Sequence, residues 1–171
     1  PEALKEYETT LHADILFYEF CQFEFFKQWK KLKEYANNRG IQLIGDLPFY
    51  VALDSVDVWA NRELFLLEED GMPKGVAGSP PDAFSEDGQL WGNPLYDWEK
   101  MEQTDFAWWR SRMKASAKLY DAVRIDHFIG VVQYYAIPYG AVTAKDGEWE
   151  KGPGKKLTDA LDELSLIHIS E

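Results

Sequence analysis

Apolar residues recur at helical spacing from the start of the chain: Leu4, Tyr7, Leu11 and Ile15 fall three or four positions apart, and Phe25, Trp29, Leu32 and Ala36 continue the pattern. Two helices are predicted. The second meets a stop signal in "NNRG", where Asn38 or Gly40 can take the left-handed conformation that closes a helix. "IQLIGD" follows at once, a short apolar run with β-branched residues ahead of Pro48, and reads as a buried parallel strand. Asp54 and Ser55 offer N-caps to a short helix over "VDVWANRELF". Thr104 and Asp105 open a further helical pattern with Phe106, Trp109, Met113 and Ala117 on one face, and it runs directly into "DAVRID". The chain thus takes a helix-to-strand step twice, each strand ending near an acidic residue, Asp46 and Asp126. Helices alternating with buried strands predict an α/β fold with a parallel sheet, open or closed as a (β/α) barrel.

Between Glu68 and Pro94 the periodicity disappears. This stretch carries five glycines and four prolines, with Phe84 and Trp91 embedded in it. A structureless run of such length in a compact domain is expected to be a functional loop or a linker, and the aromatic rings argue against a linker.

The bulk values narrow the choice of partners. With 18 Lys+Arg against 30 Asp+Glu, the formal charge of -12 opposes nucleic acid and anionic membranes. No apolar run approaches the roughly 20 residues that span a bilayer, and "PEALKEYETT" lacks the basic start of a signal peptide. The single cysteine, Cys21, can form no internal disulfide, which points to a reducing, cytoplasmic location; it reads as buried and inert, having no histidine or basic cluster beside it. Aromatic content reaches 15%, with seven tryptophans, a surplus that suits the flat apolar faces of sugars as well as a core.

Candidate chemistry gathers in "DAVRIDHFIG", Asp121 to Gly130. If "AVRID" is a strand, Val123 and Ile125 face one side and Arg124 and Asp126 the other. A guanidinium one pleat from a carboxylate orients it, as a carboxylate nucleophile requires, and His127 just beyond can donate to a substrate hydroxyl. The same spacing also fits a salt-bridged structural corner with His127 as a satisfied core residue, and spacing alone leaves both readings open. Asp46, Asp126 and His127 could in principle hold a metal, but none of the three histidines has the paired spacing of a zinc site. "GMPKGVAG" lacks the Lys-Ser or Lys-Thr of a phosphate-binding loop. Nothing calls for a metal or an organic cofactor.

Four stretches in order, "GDLPFYVALDSVDVWAN", "VAGSPPDAFSEDGQLWGNPLYDW", "VRIDHFIG" and "KGPG", resemble the 4-alpha-glucanotransferases, the amylomaltases or disproportionating enzymes of glycoside hydrolase family 77, over about Tyr18 to Asp162. The resemblance implies a (β/α)8 barrel of the α-amylase superfamily acting on α-1,4-glucans and glucose. It implies that Asp126 is the nucleophile and that Arg124 and His127 support it and bind the sugar beside the cleaved bond. Asp46 becomes a structural or sugar-orienting contact. Segment 68–98 becomes an inserted loop over the cleft, with Asp82, Phe84, Gln89, Trp91 and Asn93 as substrate contacts or loop anchors. The implied mechanism is retaining transfer, in which an acceptor sugar displaces the enzyme from a covalent intermediate. The chain departs from the family pattern at Ala83, where many members have a tyrosine, and at Ile129, where "RIDHFRG" versions have arginine.

The family's proton-donating glutamate lies in an "AEDLG" type motif that this sequence does not contain. Such barrels take about 250 residues, so 171 residues are expected to form a truncated part of one catalytic domain. The tail 164–171, "LSLIHISE", reads either as an imitation of the strand that ends in this acid, making Glu171 the donor, or as a non-native end. A catalytically incomplete or merely glucan-binding remnant is the alternative to an active transferase.

Overall fold

The computed structural model describes residues 2–164. Two N-terminal helices are present, α1 (Glu2–Thr10) and α2 (His12–Asn37), but the break comes at Leu11, inside the first predicted pattern, and Ile15 belongs to α2. Of the two stop candidates it is Gly40, at φ +72, that turns left-handed, while Asn38 stays right-handed. The amide of Ile41 then bonds back to the carbonyl of Ala36 at 3.1 Å, satisfying one of the carbonyls that a helix end leaves free.

β1 (Ile44–Leu47) pairs in parallel with β4 (Ala122–Ile125), placing Asp46 opposite Arg124. Asp121 ties this pair to α2. Its carboxylate accepts from the Leu43 amide and from Asn37 Nδ2, both at 2.8 Å, and Lys33 Nζ lies 3.0 Å away. These contacts hold its carboxyl down to about 2. The strands were expected to be buried. In fact they alternate, with Gly45 and Leu47 inward and Ile44 and Asp46 exposed, because among the described residues nothing covers their second face.

The stretch expected to lack regular structure holds two strands. β2 (Gly75–Ser79) and β3 (Gln89–Pro94) join β5 (Gln133–Pro138) and β6 (Glu148–Lys151) in a four-stranded antiparallel sheet of order β3-β2-β5-β6. Small residues make β2 hard to recognise and are also what its packing demands. A Cβ on Gly78 would sit 2.2 Å from the Gln89 carbonyl oxygen. Glu148 and Glu150 are exposed on β6.

The central strands of this sheet, β2 and β5, bury residues on both faces, while β6 stays exposed. Ala77 and Tyr134 belong to the main core, and Val76, Tyr135, Ile137 and Ala144 form a smaller cluster. The main core also takes Leu47, Phe49 and Tyr50 from the end of β1 and Val58 from α3 (Val56–Ala60), whose N-cap is Ser55 as expected. α4 (Trp98–Gln103) contributes Met101, α5 (Ala107–Leu119) Trp109 and Met113, and α6 (Lys155–Asp162) Leu157, Ala160 and Leu161. Thr104 closes α4 instead of opening α5, since its hydroxyl bonds back to the Met101 carbonyl at 3.0 Å.

Cys21 is exposed, contrary to the expectation of burial. It lies on a part of α2 where the described residues bury no side chain, Ala36 near the C-terminus being the one buried residue of that helix.

Candidate functional site

The ladder between β1 and β4 continues one residue past the strand, the Asp126 amide donating to the Leu47 carbonyl at 2.9 Å. Arg124 and Asp126 share a face as the alternation requires. Arg124 Nη2 lies 2.6 Å from Asp46 Oδ2 and 3.2 Å from Asp126 Oδ1, so a single guanidinium nitrogen joins both carboxylates. All three side chains remain more than half exposed, and ion pairs so placed contribute only about 0–1 kcal/mol. Stability is a poor reason to collect three charges here.

His127 turns away from this line. Its backbone is left-handed at φ 53, an uncommon conformation for a residue with a Cβ, and the chain passes into a 3-10 turn at Phe128–Val131. The ring meets Trp91 edge-on at 4.8 Å between centroids and lies 6.0 Å from the Tyr50 ring. Its Nε2 is buried with no hydrogen-bond partner. Burial pushes the imidazole's pKa down against the opposing pull of Asp126. The salt-bridged corner is therefore present, but without the satisfied histidine that a purely structural corner would contain.

Beside these groups lies a cavity of about 320 Å³ lined by Pro48, Phe49, Tyr50, Trp91, Asn93, Asp126 and His127. It sits where β1 and β4 end, the carboxyl ends of parallel strands at which open and closed α/β sheets bind ligands. The backbone of its floor is clamped. The Phe49 carbonyl accepts from Tyr96 Oη at 2.5 Å and from Arg112 Nη1 at 3.4 Å, and the Val51 carbonyl from Asn93 Nδ2 at 2.9 Å.

Four of the residues singled out in the sequence thus meet at the cavity: Asp126, His127, Trp91 and Asn93. Arg124 and Asp46 adjoin it through the ion pairs. Gln89 stands behind Trp91, its Oε1 accepting from the indole Nε1 at 3.0 Å. Asp82 caps the connection between β2 and β3, accepting from the amides of Phe84 and Ser85 at 2.8 Å each. Phe84 is 99% exposed and does not line the cavity. Glu171 lies outside the described residues. Pro48, Phe49 and Tyr50 were not foreseen in the site; their position directly after β1 was the available signal, but apolar aromatics there read as core.

A carboxylate at the end of a parallel strand, beside an aromatic-walled cavity with unpartnered polar groups, marks an α/β protein with a small-molecule site at its strand ends. The family model described as 4-alpha-glucanotransferase matches residues 1–169, and the chain belongs to that family. It is 52% identical over 163 residues to a 4-alpha-glucanotransferase of Clostridium butyricum, covering 95% of this chain and 34% of the relative. A Synechocystis 4-alpha-glucanotransferase is 52% identical over 162 residues, covering 94% and 32%. Among solved structures, an amylomaltase from Streptococcus agalactiae in complex with acarbose superposes with a TM-score of 0.92 at 46% identity, covering 99% of this chain and 36% of that one. The chain spans about a third of the length of the curated relatives it matches.

Proposed function

We propose that this chain supplies the nucleophile-bearing part of a 4-alpha-glucanotransferase, with β1 and β4 as two staves of a (β/α)8 barrel. Asp126 attacks the anomeric carbon of an α-1,4-glucan and forms a covalent glycosyl-enzyme; an acceptor glucose or glucan hydroxyl then displaces it with net retention. The observation that carries this reading is the position of Asp126, oriented by Arg124 at the mouth of the aromatic cavity. Arg124 and Asp46 fix the carboxylate's direction. His127 and Asn93 offer polar contacts to the sugar, Trp91 offers a stacking face, and Gln89 holds that face in place.

The β2–β3 hairpin would cover the cleft, with Phe84 at its tip meeting the acceptor and Asp82 stiffening the turn. Shielding of this kind favours transfer over hydrolysis, because a sugar hydroxyl then competes with less water. Of the described residues lining the cavity, Asp126 is the one carboxylate. The proton donor that a retaining mechanism also requires is assigned to the two thirds of the relatives' length that this chain does not match. By itself the chain is accordingly expected to bind glucan without turning it over, in keeping with the remnant reading. The single cysteine, which can form no internal disulfide, supports a reducing, cytoplasmic-type compartment.

In the full-length protein, Asp126→Ala is expected to lower glucose release from maltotriose by about 10⁴-fold or more, the scale of nucleophile removal in covalent catalysis. Turnover close to that of the unaltered protein would rule out the nucleophile assignment.

A further inference from the structure

Tyr50 is nine-tenths buried and lines the same cavity as Asp126 and His127. Its ring is fixed, stacked on Tyr96 at 5.8 Å and 12° and approached by Phe49, Trp91 and His127. Its backbone is fixed as well, since the carbonyls on either side, of Phe49 and Val51, are the ones held by Tyr96, Arg112 and Asn93. Yet its hydroxyl is buried with no hydrogen-bond partner, as is His127 Nε2.

Leaving a buried hydroxyl unpaired is unfavourable, and phenylalanine would fill the same space without that cost. Two such groups from different segments therefore belong to residues that line one cavity, in an arrangement that packing alone does not require. Burial also pushes the Tyr50 phenol well above its ordinary range, so that it remains an O–H at neutral pH and can donate. A secondary hydroxyl of a sugar ring both donates and accepts, and so can pair with Tyr50 Oη and with either tautomer of His127.

We propose that Tyr50 is a substrate-contacting residue of this site, its hydroxyl hydrogen-bonding a ring hydroxyl of the glucose unit bound beside Asp126. The contact rests on the glucanotransferase reading above and adds a residue to it. A site built to pair with a hydroxyl discriminates strongly against analogues that lack it, since its own polar groups are then stranded.

The test is Tyr50→Phe in the full-length protein, assayed with maltotriose and a set of monodeoxy maltotrioses, with Asp126→Ala alongside. Tyr50→Phe is expected to lower kcat/KM for maltotriose by about 10-fold to 100-fold while leaving the melting temperature unchanged or raised. One monodeoxy substrate, poor for the unaltered protein, should be no poorer than maltotriose for the variant. Activity of Tyr50→Phe within twofold of the unaltered protein, or a loss that leaves the whole monodeoxy pattern as it was, overturns the contact. If Asp126→Ala is inactive and Tyr50→Phe is not impaired, only the Tyr50 assignment falls; if Asp126→Ala retains turnover, the nucleophile assignment that places the reacting glucose beside Tyr50 falls, and the contact falls with it.

Discussion

Helices α2 and α5 carry the same kind of apolar spacing and meet different fates. α5 buries Trp109 and Met113 almost completely in the main core, whereas α2 leaves Phe17, Phe20, Phe23, Phe25 and Phe26 largely exposed. α5 presents one stripe, so one neighbouring layer satisfies it. The aromatic residues of α2 extend around more than one face, and a helix of that kind needs partners on several sides. Periodicity announces a helix; it does not say how much of the surrounding protein the helix requires.

The largest effect should come from α5. Trp109→Ala opens a cavity among Phe49, Tyr96, Trp98 and Trp108, and is expected to cost about 3–5 kcal/mol in urea unfolding of the chain. A loss below about 1 kcal/mol would mean that α5 is no better packed than α2.

The next effect tests a charged attachment of α2, the contacts of Lys33 and Asn37 with Asp121. Asp121 has a folded-state carboxyl held down to about 2, below its ordinary value near 4, so its contribution is complete above about pH 4 and disappears as the pH falls toward 2. Asp121→Asn should therefore destabilise the chain at neutral pH and flatten the fall in stability between pH 4 and 2. Parallel stability curves for the two proteins would remove Asp121 as the attachment.

The smallest effect belongs to the exposed stretch. Phe20→Ser should shift unfolding by no more than about 0.5 kcal/mol, as surface changes do, while reducing self-association measured by sedimentation. An unfolding shift as large as that of Trp109→Ala would erase the contrast between the helices.

The same contrast explains what could be read from the sequence. α2, α3, α5, β1 and β4 were legible because each has a period or a cap of its own. β2 and β3 were not, since Gly75, Gly78 and Gly92 remove the alternation that marks a strand and the sheet supplies the pairing from elsewhere. α4 was hidden by Thr104, which looks like the start of a helix and ends one. In the site, Asp126, Arg124 and His127 announced themselves by charge at a strand end, and Trp91 and Asn93 by family motif. Tyr50 was invisible because a tyrosine after an apolar strand is ordinarily core, and only its unpartnered hydroxyl separates it from that class.

The clamped floor of the cavity also bears on how the molecule assembles. The hydrogen bonds that fix the carbonyls of Phe49 and Val51 reach across 42, 47 and 63 residues of chain, whereas the turns that make α2 and α5 close within four. Closing long loops costs entropy that local turns do not, so helices can form on the timescale of their own nucleation while the floor waits for β3, Tyr96 and α5 to arrive. A folding intermediate would then show most of the native helical signal and no sugar-binding site, and the recovery of ligand binding would lag behind the recovery of helix as the chain refolds.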